Sequence, residues 1–546
     1  MEDFANLLER LLLTPSRNGK LTLLSAYFKQ QRDPERGWAL AALSGELKLP
    51  RVKASLIRRL AEKKFDTELF RLSYDYVGDL AETVSLMWSP AHGANHTPTL
   101  SDVVTTLQEA SPAEGEQHLE TWLNALDSRA RWALLKLVTG GLRIGVSARL
   151  VKRALAEFGA KPVTDIEEIW HGLEPPYESL FSWLDGRADK PNPEITASFR
   201  PVMLAHPLIT KAQRQEAETV LTEMLNAANF AAEWKYDGIR VQAVSEGGVR
   251  RLYTRTGDEI SQTFPDVLSA LNFDAALDGE LLIRAPNGAV APFNQLQQRL
   301  NRKRVSAKQL QAYPAFVRVY DLLQEGGEDL RSLPFVERRR RLEAFMRDRA
   351  EAGLDLSPLI PVTNFADLDL ARNQPPSPEI EGLMLKRWDS SYQAGRPKGP
   401  WYKWKRDPHI IDAVLMYAQR GHGRRSGQYS DFTFGVWRRI GDEIQLTPVG
   451  KAYFGFTDEE LKHLDKFVRD HTLERFGPVR AVQANQEAGL VLEVAFEGLQ
   501  RSSRHKSGVA MRFPRIHRIR WDKPPAEADW LETLEALLPV SIGAEQ

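Results

Sequence analysis

The stretch EWKYDGIR (233–240) sets one lysine, Lys235, beside Asp237, Gly238 and Arg240, directly ahead of the strand-like run VQAV. A lysine is protonated at neutral pH and becomes a nucleophile only where its surroundings favour the neutral amine. The partners for such a role stand downstream, in stretches rich in carboxylates, cations and aromatics. They are YTRTGDEI (253–260), LDGELLI (277–283), VYDLL (319–323), IEGLMLKR (380–387), WYKWK (401–405) and RFPRIHRIRWDK (512–523). In WYKWK, Lys403 and Lys405 alternate, so a strand of period two turns both to one side. Each stretch alone is weak: a lysine can simply flank a strand, WYKWK can be an exposed edge, and Glu280 or Glu381 can be a salt-bridged strand residue. Their order is the informative feature.

Taken in that order, the seven stretches resemble the signature of the ATP-dependent DNA ligases, members of the covalent nucleotidyltransferase superfamily. The resemblance runs from the helical amino-terminal section to RFPRIHRIRWDK. It implies that Lys235 attacks the α-phosphorus of ATP and forms a lysyl-AMP phosphoramidate. Lys403 and Lys405 would then supply a positive field that favours the neutral amine and stabilises the pentavalent transition state. By the same resemblance Glu280 contacts the ribose and supports a metal, Glu381 binds metal and positions the lysine, and Tyr320 stacks on adenine. Glu233 reads the adenine amino group, and Arg240 and Arg255 contact ribose or phosphate, as guanidinium forks suit. Arg520, with Lys523, orients the pyrophosphate. ATP is thus the implied co-substrate and Mg²⁺ the implied metal, since Mg²⁺ needs only one or two carboxylates beside phosphate oxygens. The chain departs from the family pattern at Tyr320, where phenylalanine is commoner, and at Trp234, where tyrosine is. It departs again at Pro397, where many relatives have an arginine that Arg396 or Lys398 would have to replace.

The elements that must position these residues divide into three sections. Residues 1–190 read as all-α, with FANLLERLLL, RGWALAALSGEL, VKASLIRRLAEKK and RARWALLKLVTGGL carrying apolar residues at helix-face spacing, and the resemblance implies that they form a DNA-binding domain. GLRIGVSARLVKRALAEFG reads as two helix segments joined at Gly145, with Ser147 capping the second. The Pro-containing DGRADKPNPEITAS (185–198) reads as a linker. Residues 198–407 alternate short β-prone runs with helices such as VERRRRLEAFMRDRA, an α+β domain built on antiparallel sheets that the resemblance implies is the nucleotidyltransferase (adenylation) domain. Residues 408–546 follow a hinge at RDPHI and read as a C-terminal OB-fold β-barrel, with a helix near TDEELKHLDKFVRDH and a terminal helix at EADWLETLEALL.

Composition excludes more than it identifies. The 546 residues exceed one core, and Lys+Arg and Asp+Glu are equal at 73 each. The basic residues concentrate from Arg501 to Lys523, a run suited to sequence-independent phosphate contact. The run ERRRR (337–341) reads as a solvated helix face. With no cysteine there are no disulfides, Cys-based zinc sites or thiol nucleophiles. No apolar run approaches the ~20 residues of a membrane span, and the acidic start is unlike a signal peptide, which gives an intracellular, cytoplasmic expectation with nucleoid association. His92 and His96 in AHGANH have i, i+4 spacing in a loop composition, which aligns no zinc ligands. TGGLRIG lacks the lysine and preceding strand of a P-loop.

The expected activity is sealing of nicks in duplex DNA through lysyl-AMP and DNA-adenylate intermediates, by a monomer encircling its substrate. The rivals are an RNA ligase or mRNA-capping-type guanylyltransferase, which the helical first section disfavours, and a catalytically dead DNA-binding module, which the intact reactive set disfavours. KYDGIR without zinc-binding cysteines also argues against an NAD-dependent ligase.

Overall fold

The structure is a computed structural model that describes residues 1–89, 97–192, 197–209, 229–300, 302, 305–347, 349, 353–361, 364–421, 429–453 and 455–538. His92 and His96 lie outside them. The chain forms two compact units, one of Met1–Pro15, Leu47–Gly145 and Asp407–Gln546, the other of Ser16–Glu46 and Val146–Arg406.

In the first unit the amino-terminal portion is helical, and local chemistry sets where its helices start. Thr99 and Ser111 close capping boxes with Asp102 and Glu114, and Asp66, Asp79 and Asp127 each accept a backbone N–H at a helix start. The carboxy-terminal portion is a seven-stranded sheet built around the long strand His409–Arg420, which pairs with Tyr429–Ile440, Val479–Val482 and Val491–Phe496. The expected helix is present at Asp458–Asp470 behind a Thr457 capping box. The expected terminal helix is shorter than its apolar pattern, a single turn at Leu531–Glu535.

In the second unit, helices Arg17–Gln30, Glu35–Ser44 and Ala148–Gly159 accompany two sheets. The Ser147 hydroxyl accepts from the Leu150 N–H at 3.3 Å, as a cap should. The stretch before Gly145 is not helical: helix Ser128–Thr139 already stops at Gly140, whose φ of +67° ends it in the left-handed conformation.

The five-stranded sheet of this unit contains strands Phe230–Tyr236, Ile380–Arg387 and Trp401–Lys405. The six-stranded sheet contains Ile239–Glu246, Val249–Thr254, Ala275–Ile283 and Ala315–Glu325. The expected antiparallel pairing dominates, but among the described strands of this unit two pair in parallel, His206–Pro207 with Tyr402–Lys403 and Val317–Val319 with Leu354–Leu356. Helix Phe335–Arg347 covers the six-stranded sheet, placing Leu342 and Phe345 in a core with Val241, Leu277, Leu281 and Val317.

The chain crosses from one sheet to the other between Tyr236 and Ile239, so KYDGIR straddles the junction. Gly238 permits the crossing, because a Cβ there would lie 2.6 Å from the Leu281 carbonyl oxygen and 2.8 Å from Glu280 Cγ. The Asp237 N–H donates to the Glu379 carbonyl at 2.8 Å, pinning the corner to the strand that carries Glu381.

Candidate active site

Register brings the five-stranded sheet's charged residues together. Lys235 is paired with Gly382, which is paired with Lys405; in the next row Glu233 is paired with Met384 and Met384 with Lys403. Cross-strand partners share a face, so Glu233, Lys235, Lys403 and Lys405 lie on one side. Gly382 has no side chain to separate the two lysines. Its φ of +147° and the 2.2 Å from a Cβ to the Trp404 carbonyl oxygen make glycine obligatory there.

Strict alternation would turn Glu381 to the opposite side from Gly382. The ladder instead slips between Ile380 and Gly382, leaving Glu381 as the extra residue of a β-bulge. A bulge re-aims a side chain, and Glu381 Oε2 accepts from Lys235 Nζ at 2.7 Å and lies 3.3 Å from Lys405 Nζ. Burial works to raise the Glu381 carboxyl, yet Lys235 and Lys405 together hold it below the usual glutamate range. Burial, and then the charges of Arg396, Lys405, Lys235 and Arg255, push the Lys403 ammonium down. Arg396 and Arg255 therefore belong to the same positive field, and Arg396 stands beside the position where Pro397 lacks a charge.

The six-stranded sheet supplies a different arrangement. Asp278, fully buried, accepts from Arg240 Nε at 3.0 Å and Nη2 at 2.6 Å, from the Tyr392 hydroxyl at 2.7 Å and from the Tyr320 hydroxyl at 3.2 Å. Arg240 also donates to the Met203 carbonyl. Its donors thus go to protein partners. Tyr320 is itself the extra residue of a bulge, between the Gly279–Val319 and Asp278–Asp321 pairs.

Glu280 lies one row from Asp278, opposite Arg240. Burial raises its carboxyl to about 7, against the charges of Lys235 and Arg240 and with those of Glu381 and Asp278. Among the described residues no side chain hydrogen-bonds this carboxylate. Those residues hold no cluster of three or more metal-ligating side chains. What they do offer is two carboxylates close enough to feel each other's charge, Glu280 without a side-chain donor and Glu381, which fits a hard cation that completes its shell with phosphate oxygens and water.

Arg520 lies in the other unit, where Asp522 accepts from its Nε at 3.0 Å and Asp412 takes Lys523 Nζ at 2.7 Å. Side-chain pairing holds Asp522 down at about 2.

Three further residues join the site around Glu233 and Tyr320. Glu233, 2% exposed, has Lys386 Nζ at 2.5 Å from Oε2 and Arg339 Nη1 at 3.2 Å from Oε1. Lys386 Nζ also donates to the Tyr320 carbonyl at 3.1 Å and lies 4.4 Å from the Tyr320 ring centre. Arg338, fully buried, forms a bidentate pair with Asp321 at 2.8 and 3.0 Å. The run ERRRR is therefore a solvated face only in part. Phe335, Arg338, Arg339, Leu342, Phe345 and Met346 are the buried positions of that helix, the i, i+3, i+4, i+7 stripe on which an apolar sequence would normally sit. That spacing was the available signal for Arg338 and Arg339, and period-two alternation from Gly382 was the signal for Lys386.

Comparison with known proteins agrees over the length of the chain. The family described as ATP dependent DNA ligase domain matches residues 203–405, the DNA ligase N terminus matches 1–156, and the ATP dependent DNA ligase C terminal region matches 425–523. A probable DNA ligase of Koribacter versatilis is 31% identical, covering 98% of this chain and 96% of its own. A DNA ligase of Natronomonas pharaonis is 31% identical over 80% of this chain and 78% of its own. A solved chain called Pmar-Lig_PreS3 superposes with a TM-score of 0.57 at 14% identity, covering 95% of this chain and 99% of its own, a likeness of fold.

Proposed function

The chain belongs to the ATP-dependent DNA ligases, and we propose that it seals nicks in duplex DNA with Lys235 as the nucleophile. The observation that carries this reading is the side-by-side placement of Lys235 and Lys405 on Glu381 across a glycine, with Lys403 in the adjacent row.

Lys235 Nζ forms a bond to the α-phosphorus of ATP as the bond from that phosphorus to the bridging oxygen breaks, and pyrophosphate leaves. Glu381 holds Nζ in place, and Lys403 and Lys405 offset the charge gathering on the phosphate oxygens. In the second step an oxygen of a DNA 5′-phosphate attacks the AMP phosphorus and the P–N bond breaks, restoring the lysine. In the third the 3′-hydroxyl attacks the 5′-phosphorus and AMP departs, leaving the phosphodiester.

Glu280 and Glu381 would hold a Mg²⁺ ion, which supplies neutralisation of phosphate charge when bound. Glu233 faces the adenine amino group, Tyr320 stacks on the base, and Arg255 and Arg520 serve phosphate. Arg240, with four of its five N–H donors on Asp278, Met203 and Tyr392, holds the ribose side of the site in shape and has one Nη1 hydrogen left for the nucleotide. Residues 1–190 bind duplex DNA, 198–407 carry out adenylation, and 408–546 form an OB-type barrel. The barrel reading rests on the seven-stranded sheet with its helix set between strands Glu443–Ala452 and Thr472–Phe476.

The test is sealing of a 5′-labelled nicked duplex with ATP and Mg²⁺. The native chain joins the strands and Lys235→Ala does not, at unchanged thermal stability. Sealing by Lys235→Ala at the native rate would refute the mechanism.

A further inference from the structure

The base-side end of the site is held by a buried charge chain that no motif of the sequence announces. Helix Phe335–Arg347 sends Arg338 and Arg339 inward from the i+3 and i+4 positions of its buried stripe, about 100° apart around the axis. Arg338 reaches Asp321, next to Tyr320, and Arg339 reaches Glu233, two residues before the nucleophile. The pair is possible because the helix lies over the six-stranded sheet while the Glu233 strand belongs to the other.

The geometry points to Arg339 as a positioning residue that sets how the site reads the 6-amino group of the nucleotide base. This rests on the reading of Glu233 as the carboxylate that faces that group. An ionised carboxylate is an acceptor only, with about four lone-pair directions. Lys386 takes one oxygen of Glu233 and Arg339 the other, so the carboxylate is braced from two directions and cannot swing toward either. Its unused lone pairs then point in a fixed direction, suited to the donor hydrogens of an exocyclic amine. Arg339 is itself tethered from behind, its Nε donating to Glu343 at 2.7 Å. Without Arg339 the Glu233 carboxylate is left to Lys386 alone and turns onto it, since the buried ammonium has no other carboxylate among its described contacts. The lone pairs that face the base turn with it.

The consequence is specific to nucleotides that carry the amine. ATP gains from the braced carboxylate; purine riboside triphosphate, which has hydrogen in place of the 6-amino group, does not. The experiment compares single-turnover formation of the lysyl-nucleotide adduct from these two triphosphates, by intact mass, in the native chain, Arg339→Met, Arg339→Lys and Arg340→Met. The ratio of the two rates cancels any difference in folded fraction between variants.

The native chain is expected to prefer ATP by about 10-fold or more. Arg339→Met is expected to lose at least about 3-fold of that preference, and Arg339→Lys, which keeps a cation, to recover part of the loss. Arg340, exposed and paired with Glu337, does not touch Glu233, and Arg340→Met keeps the native ratio. A native ratio in Arg339→Met overturns the proposal whatever the absolute rates, as does a ratio in Arg339→Lys no better than in Arg339→Met. Indifference of the native chain to the 6-amino group overturns instead the reading of Glu233.

Discussion

The two sheets of residues 203–405 carry comparable sets of charged residues and put them to opposite uses. On the five-stranded sheet, Lys235, Glu381 and Lys405 are partly open, with side chains 24, 18 and 35% exposed, and cations outnumber the carboxylate they share. On the six-stranded sheet, Asp278 is closed from solvent and meets a bidentate arginine and two tyrosine hydroxyls. One set keeps capacity for a ligand; the other has spent its capacity on the fold. Sequence motifs treat Lys235 and Arg240 as parts of one signature. What separates them is how much of each is already committed to the fold: Lys235 Nζ donates to Glu381, whereas Arg240 spends four of its five N–H donors on Asp278, Met203 and Tyr392.

The strongest way to break this contrast is Asp278→Ala. It strands Arg240 without its counter-charge in a buried site, and loss of one member of a buried pair costs about 3–5 kcal/mol. Urea unfolding should show that drop, and a variant as stable as the native chain would show that the network is not structural.

On the open sheet the largest expected effect falls on rate. Lys403→Met should slow lysyl-AMP formation about 10²–10³-fold, the scale for loss of one transition-state contact, while unfolding free energy changes by no more than about 0.5 kcal/mol. A matching loss of stability would place Lys403 with the closed network instead.

Glu280 sharpens the contrast by pH. Its carboxyl stands at about 7 in the fold against an ordinary 4.5. A raised acid contributes stability that is fully present below pH ~4.5 and is lost as pH rises through ~7, here by about 3 kcal/mol at most and less where solvent screens it. Metal-free protein should therefore lose unfolding free energy across that window, and Glu280→Gln should flatten the profile. An identical profile in the variant would remove Glu280 as the cause.

The smallest effect is expected from Tyr320→Phe. It deletes one of the hydroxyls on Asp278, at 3.2 Å, while Arg240 and Tyr392 remain. A stability loss of about 1 kcal/mol with adenylation unchanged fits a ring that stacks and a hydroxyl that only braces. A large rate loss would give the hydroxyl a direct role.

Much of the site was legible because strands carry a local rule. Period two in WYKWK foretold that Lys403 and Lys405 share a face, and the same rule applied to IEGLMLKR reaches Lys386. The position of Glu381 was not legible by that rule, since alternation places it opposite Gly382 and only a bulge turns it toward Lys235. Bulges depend on the partner strand, which no local pattern contains. ERRRR is a solvated face only at Glu337, Arg340 and Arg341, for a similar reason. Charge suggested solvent, whereas the apolar stripe position of Arg338 and Arg339 suggested burial, and buried acids on two different sheets decided it. The non-helical segment before Gly145 was misread because its apolar spacing outlasted the helix that Gly140 had already ended.

The measurement closest to the central claim is the location of the covalent nucleotide. The protein, incubated with ATP labelled at the α-phosphate and Mg²⁺, should carry label in an acid-labile, alkali-stable bond, and proteolysis should place it on the peptide containing Lys235. Label on any other residue, or label retained by Lys235→Ala, would contradict the account.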